Sequence, residues 1–287
     1  MRSKTKKTTE TTLSTLVGID NNSEEYFIDL SKYTNLLIIG DSATGKTNFM
    51  ENMILSLGKN TSPELCQIVI IGPSYCDYDP FDGLKHISAM IGSNDAVIEC
   101  LKNVQEIMED RYRLLSKANC RNLDDYNKKS KEKLPHIIIF IDEIAPFMIF
   151  NSKEICSAIE RICQTGKVPG VHLIISTKEL MPEVFNAPIR YLFKDFVTFN
   201  ISRPKCEADY IKVYLDGIEP WKLKKGDHIL KLEYSDPMQL TSKYITDEEI
   251  ENTVKSLKKE LSPTVFSTVG NLFNQLFGIA NKESNDE

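Results

Sequence analysis

Gly40-Asp41-Ser42-Ala43-Thr44-Gly45-Lys46-Thr47 places two glycines, a lysine and a hydroxyl side chain at fixed spacing, directly after the apolar run Leu36 to Ile39. That pattern is a phosphate-binding P-loop. Gly40 and Gly45 permit a tight turn in which successive backbone N–H groups point inward at phosphate oxygens. Lys46 is expected to reach the β- and γ-phosphates, and the Thr47 hydroxyl to ligate Mg²⁺. The context fits: a β-branched strand precedes the loop, and a helical stretch with Phe49, Met53, Ile54 and Leu57 on one face follows it. Residues Gly40 through Asn48 are therefore the expected nucleotide-binding segment.

Such a loop needs a second metal ligand and a group that orients water, normally at the end of another parallel strand. His136-Ile137-Ile138-Ile139-Phe140-Ile141-Asp142-Glu143 supplies both. Asp142 is expected to hold Mg²⁺ together with Thr47, and Glu143 to accept a proton from the attacking water. Consecutive Asp-Glu at this place is typical of RecA-like motors that hydrolyse ATP, whereas the Asn-Lys-x-Asp loop that reads guanine is absent from the sequence. ATP is the expected nucleotide. A third strand, Gly170-Val171-His172-Leu173-Ile174-Ile175-Ser176-Thr177-Lys178, ends in polar residues. Ser176, Thr177 or Lys178 is positioned to sense the γ-phosphate; the alternative is a buried strand with a polar end.

The elements that must hold these residues alternate. Strands are expected near 26–29, 36–40, 67–72, 136–141, 171–176, 195–201 and 228–233, and helices over 46–58, 94–117, 152–165 and 205–214. This order predicts an α/β fold, a mostly parallel sheet with helices on both faces, and together with the P-loop and Asp142-Glu143 it resembles the RecA-like P-loop NTPase kind. The lysine-rich stretch from Arg121 to Pro135 reads as a surface excursion. With 287 residues, 41% hydrophobic and 26% charged, the chain has ordinary globular composition and room for one large α/β domain. That domain is expected over 15–260, after a disordered basic segment 1–14 and before a tail 261–287.

No apolar run approaches the roughly 20 residues of a membrane span, and the N-terminus lacks a signal-peptide core, so a cytoplasmic protein is expected. The seven cysteines are an odd, scattered set without a CxxC pair, which indicates neither a disulfide framework nor zinc. A net charge of −6 weighs against coating nucleic acid by bulk electrostatics but leaves room for local basic patches, at Lys4, Lys6 and Lys7, at Lys128, Lys129, Lys131 and Lys133, and at Lys222, Lys224 and Lys225. In the tail, Val265, Phe266, Val269, Leu272, Phe273, Leu276 and Phe277 recur at helical intervals. This amphipathic helix either packs on the core or docks on a partner protein or membrane-associated complex. A bare membrane surface is disfavoured, because its polar face carries no Lys or Arg and Glu283, Asp286 and Glu287 follow.

From Leu16 to Lys259 the arrangement resembles the motor domain of the FtsK/SpoIIIE DNA translocases. Beyond the P-loop and Asp142-Glu143, the resemblance rests on Leu16-Val17-Gly18-Ile19-Asp20, Phe27-Ile28-Asp29-Leu30, Met108-Glu109-Asp110-Arg111-Tyr112-Arg113-Leu114-Leu115, Arg121-Asn122-Leu123 with Tyr126-Asn127, Gly170-Val171-His172-Leu173, and Ile245-Thr246-Asp247-Glu248-Glu249-Ile250-Glu251. It implies a ring, usually a hexamer, that threads duplex DNA and hydrolyses ATP between subunits. The chain looks like a motor module standing alone, without the family's membrane anchor or winged-helix region. It departs from the family at Gly72-Pro73-Ser74, at Thr177-Lys178-Glu179-Leu180 (Thr-Gln-Arg-Pro in the family), at Glu207-Ala208-Asp209, and at Lys167 in place of an arginine. These departures leave ATP binding intact and bear on coupled hydrolysis, since an arginine supplied in trans is worth about 10³ to 10⁵ in rate. The leading expectation is an ATP-driven module acting on duplex DNA without sequence specificity. The alternatives are an ATPase of a protein-secretion or conjugation apparatus, and a nucleotide-binding regulatory subunit with little turnover.

Overall fold

The structure, a computed structural model, describes residues 13–33, 35–178, 191–202 and 219–260. The expected helix at 205–214, the segment 1–12 and the amphipathic tail 261–287 lie outside the described residues. Ten strands form one sheet: β1 (Ser14–Ile19), β2 (Glu25–Asp29), β3 (Asn35–Ile39), β4 (Cys66–Ile71), β5 (Ile87–Ile91), β6 (His136–Ile141), β7 (Val171–Thr177), β8 (Asp195–Thr198), β9 (Asp227–Lys231) and β10 (Met238–Thr241). Their order is β2-β1-β10-β9-β8-β3-β7-β6-β4-β5. The run from β8 to β5 is parallel, and β9, β10, β1 and β2 extend it as an antiparallel flap.

The central strands are apolar along their whole length because both faces are covered. On β6, Ile137, Ile139 and Ile141 face one core while Ile138 and Phe140 face the other, following the two-residue period of a strand. Helices α2 (Asn94–Lys117) and α4 (Ala145–Thr165) cover the first face. Helix α1 (Lys46–Asn60), α5 (Asp247–Glu260) and a 3-10 turn over Tyr75–Phe81 cover the second. A short helix α3 (Leu123–Lys129) lies beneath the sheet at the amino ends of the parallel strands.

Three features depart from the sequence reading, and a fourth adds to it. Strand β1 begins at Ser14, inside the stretch expected to be disordered, and Leu13 is fully buried. Strands β5 and β10 carry weak signals: β10, Met-Gln-Leu-Thr, buries one residue of four and owes its conformation to pairing with β9. Helix α4 starts seven residues earlier than the expected 152, because Asn151 (φ −135°, ψ 37°) kinks it and the turn before the kink is apolar without a period. The Arg121 to Pro135 excursion is outside the sheet but firmly anchored. Asn122 caps α3 by accepting from the Asp125 N–H, Leu123 is buried, and the Asn127 side chain both donates to the Leu134 carbonyl and accepts from the Leu134 N–H. Among the described residues no helix is long and apolar enough to cross a membrane.

Candidate nucleotide site

Parallel strands deliver their carboxyl ends to one edge of the sheet, where loops and helix N-termini gather. Here β7 lies between β3 and β6, with Ile39 opposite Thr177 and Ile141 opposite Ile175. The segment Ser176 to Lys178 is thereby set between the P-loop and Asp142-Glu143.

The loop Gly40–Gly45 runs from β3 into α1. Gly40 must be glycine, since a Cβ there would lie 2.6 Å from the Phe199 Cβ and 2.9 Å from the Thr44 Oγ1. Gly45, with φ 120°, makes the left-handed turn into the first residue of α1. Ser42 and Ala43 form the exposed tip, and Ala43 accepts a left-handed backbone (φ 60°). The rim is tied down on its far side. The Asp41 N–H donates to the Asn200 carbonyl, the Asp41 Oδ2 accepts from the Ser202 N–H, and the Thr44 carbonyl accepts from the Gly226 N–H at 2.9 Å. Thr44 closes the turn from within through its hydroxyl on the Asp41 carbonyl, 2.8 Å.

Lys46 is buried, and its Nζ donates to the Gly40 and Asp41 carbonyls at 2.7 and 2.9 Å. Burial lowers its pKa, opposed by the charges of Glu143 and Asp142. A desolvated ammonium at a helix N-terminus, bonded only to carbonyls, is a site built for an anion. Thr47 lies one residue on, and its hydroxyl donates to the Asp142 Oδ2 at 3.0 Å across 95 residues of sequence. Paired hydroxyl and carboxylate oxygens are the hard ligands Mg²⁺ takes. Asn48, the last residue of the expected binding segment, turns its side-chain amide to the Ile245 carbonyl and to Glu51.

Three hydroxyls hold the Asp142 carboxylate: Thr47 and Tyr78 on Oδ2, each at 3.0 Å, and Ser176 on Oδ1 at 2.6 Å. Ser176 thus faces the Asp142 carboxylate, and its own Oγ accepts the Glu143 N–H at 3.0 Å. Thr177 is fully buried in β7. Glu143 has a left-handed backbone (φ 57°), and both its carboxylate oxygens are buried without a hydrogen bond. The Lys178 Nζ stands 3.6 Å from its Oε2. Backbone strain and a buried carboxylate without a hydrogen bond thus coincide at one residue.

Tyr78 is absent from the candidate residues read from sequence. It is fully buried, which together with the neighbouring Asp142 charge raises its pKa well above the ordinary phenol value. The signal for it is the recurrence of Tyr75, Tyr78 and Phe81 every third residue after Gly72-Pro73-Ser74, the spacing that eclipses on a 3-10 helix. Glu51, one turn into α1, is also buried, and desolvation pushes its pKa up to about 7 against the hydrogen bond from Asn48. Lys167 lies at the amino end of β7, where its Nζ donates to the Lys32 carbonyl. Of the basic clusters, Lys129 and Lys133 bind backbone carbonyls near α3, and Lys222 pairs with Glu219 in the loop that leads to Gly226.

Comparison with known proteins fits this geometry. The FtsK/SpoIIIE family model matches residues 1–182. The DNA translocase FtsK of Leptospira interrogans is 31% identical over 264 residues, covering 88% of this chain and 27% of that protein. The DNA translocase SftA of Bacillus subtilis is 27% identical over 293 residues, covering 100% of this chain and 30% of that protein. The chain thus spans under a third of the length of both relatives. Among solved structures, the cytoplasmic domain of the Thermomonospora curvata type VII secretion ATPase EccC superposes with a TM-score of 0.72 at 18% identity, over 88% of this chain and 32% of that one. The pCW3 conjugation coupling protein TcpA with ATPgS gives 0.72 at 20%, over 90% and 73%. Both show the P-loop ATPase fold. The alternating strands, the P-loop against Asp142-Glu143 and the match over residues 1–182 lead to one assignment: the chain belongs to the FtsK/SpoIIIE family.

Proposed function

We propose that this chain binds Mg²⁺-ATP through Gly40 to Asn48, Thr47 and Asp142, hydrolyses it with Glu143 as the base, and uses the turnover to move along duplex DNA. The observation that carries the reading is the meeting of Thr47 and Asp142 at 3.0 Å beside the buried Lys46. Bound Mg²⁺ supplies charge neutralisation at the phosphates. Lys46 offers the γ-phosphate a desolvated cation, Asp142 is held in orientation by three hydroxyls, and Glu143 takes the proton. In the reaction, the oxygen of water bonds to the γ-phosphorus, its proton passes to Glu143, and the bridging oxygen leaves with the bonding pair as ADP.

The family membership and the names of the relatives support DNA as the track. Contacts to it are to phosphates, independent of sequence and weakened by salt. A ring is the assembly in which a neighbouring copy brings an arginine to the γ-phosphate.

The test is steady-state ATP hydrolysis with and without long duplex DNA, with Glu143→Gln as control. Turnover that rises several-fold with DNA and falls by about 10² or more in the variant is the expected result. Tight ATP binding without turnover in either condition refutes a self-sufficient motor and favours a regulatory subunit.

A further inference from the structure

We propose that Tyr78 is a positioning residue for the metal: from the 3-10 turn it fixes the Asp142 carboxylate in one orientation, and so favours Mg²⁺ over the larger and more tolerant Ca²⁺. This rests on the reading of Thr47 and Asp142 as metal ligands above, and adds to it a residue that acts through Asp142 and a choice between two cations.

The contact is built from the core outward. Strand β4 ends at Ile71, whose carbonyl accepts the Asp142 N–H at 2.7 Å, and Gly72 then passes close beside Asp142: a Cβ there would lie 3.4 Å from the Asp142 carbonyl oxygen and 3.5 Å from its Cβ. The chain turns at Ser74, whose carbonyl accepts the Asp77 N–H at 2.9 Å, and enters the 3-10 turn. Tyr78 and Phe81 are fully buried, with ring centroids 6.4 Å apart, in the core shared with α1 and α5. A close-packed ring has little room to swing, so the phenol oxygen is held in place and only its O–H turns. That hydroxyl leaves the core at Asp142 and donates to Oδ2 at 3.0 Å. Packing alone does not call for it, since a phenylalanine fills the same space without burying an oxygen.

The three hydroxyls on Asp142 are not equivalent. Thr47 is itself an expected metal ligand, and Ser176 holds the other oxygen, Oδ1, at 2.6 Å. Of the three, Tyr78 holds Oδ2 without being a candidate ligand. With Ser176 on one oxygen and Tyr78 on the other, turning the carboxylate about its Cβ–Cγ bond breaks a hydrogen bond at each end. Without Tyr78, Oδ2 is left to Thr47 and the carboxylate pivots on Ser176. Tyr78 brings no charge, so it acts on a cation through direction. Attraction comes from carboxylates: Asp142, with Glu51, Asp77 and Asp247 within electrostatic range of one another. Such attraction draws Mg²⁺ and Ca²⁺ alike. Orientation separates them, because Mg²⁺ demands near-ideal octahedral oxygens whereas Ca²⁺ accepts a looser arrangement. Hydrogen bonds that orient a ligating carboxylate are worth about 10- to 100-fold in metal affinity.

The experiment measures the affinity of the full chain and of Tyr78→Phe for ATPγS in EDTA, in saturating Mg²⁺ and in saturating Ca²⁺, together with urea midpoints without nucleotide or metal. The substitution keeps the ring and removes the donor. In the unsubstituted chain Mg²⁺ is expected to tighten ATPγS more than Ca²⁺ does. In Tyr78→Phe the affinity in Mg²⁺ is expected to fall about tenfold, with the affinities in Ca²⁺ and in EDTA within about threefold and the urea midpoint unchanged. Equal loss in Mg²⁺ and Ca²⁺, equal loss in EDTA, or no change in any condition overturns the positioning role and leaves the nucleotide site standing. A lowered urea midpoint with the preference for Mg²⁺ intact makes Tyr78 a packing residue and overturns it as well. If neither cation alters ATPγS binding by the unsubstituted chain, the metal reading of Thr47 and Asp142 fails and the positioning role with it. If that chain does not bind ATPγS at all, the nucleotide reading itself is overturned.

Discussion

The two ends of the parallel strands treat their charged side chains oppositely. At the amino ends the charged groups Arg111, Asp124 and Lys167 meet partners, while the uncharged Asn35 Oδ1 and His86 Nδ1 are buried without a hydrogen bond. Arg111, buried on α2, donates to the Pro135 and Pro169 carbonyls at 2.8 and 2.7 Å, clamping the entries to β6 and β7. Tyr112 donates to the Thr165 carbonyl at 2.7 Å, and His136 bridges Asp124 and His172 at 3.1 and 2.9 Å. At the carboxyl ends Lys46 is bonded only to carbonyls, Glu143 to no donor at all, and Ala43 and Glu143 hold left-handed backbones. The charges of the first end are satisfied by folding. The second is left in need of an anion and a donor, which is what a binding and reaction site requires.

This contrast can be broken most directly at Lys46. Lys46→Met is expected to lower nucleotide affinity by 100-fold or more, on the order of 3 kcal/mol, with little change in the urea midpoint. A variant that unfolds instead would move Lys46 to the structural side. Arg111→Met should do the reverse. It leaves two buried carbonyls unpartnered and costs about 2 to 4 kcal/mol in urea denaturation, with nucleotide affinity within twofold. A tenfold affinity change there would mean that the amino-end clamp governs the nucleotide site.

The smallest effect, and the one that sharpens the contrast, is in pH. Burial pushes Glu51, on the nucleotide side, up to about 7. Its folded form holds a proton more tightly than the unfolded chain, so its contribution is complete below about pH 4.5 and is lost as pH rises through 7, by roughly 3 kcal/mol at most. At the amino end the signs reverse. The hydrogen bond from His136 holds Asp124 below its ordinary value despite burial, and burial together with the neighbouring His136 charge holds His172 well below its own. Both contributions are present at neutral pH and lost on acidification. Thermal midpoints from pH 5.5 to 8.5 should therefore fall less on the alkaline side in Glu51→Gln than in the unsubstituted chain. Parallel curves would show that Glu51 does not titrate in this window.

The end whose charges folding satisfies is also where the family resemblance was most specific and least explained. Met108 to Leu115, Arg121 to Leu123 and Tyr126-Asn127 match in sequence without any chemistry that general P-loop physics demands. Their roles are in the contacts: Arg111 and Tyr112 reach carbonyls 24 to 58 residues away, Asn122 caps α3, and Asn127 holds Leu134. The residues expected to do chemistry, by contrast, announce themselves by type and spacing, because a phosphate loop is a local object built from consecutive backbone amides.

The sequence by itself determined the loop Gly40 to Thr47, the apolar strand ending in Asp142-Glu143, the alternation that makes a mostly parallel sheet, and helix 94–117, whose bounds match α2. Each is encoded within one turn, one strand or one helical period. Only the tertiary structure decided what lies next to what. It set β7 between β3 and β6, brought Thr47 to Asp142 across 95 residues, and added Tyr78 from a 3-10 turn 64 residues away. It turned Ser176 to Asp142 and Lys178 to Glu143, and paired the weak strand β10 into an antiparallel flap. The physical reason is that hydrogen bonds and ion pairs between distant segments depend on strand order, which no local pattern of side chains specifies.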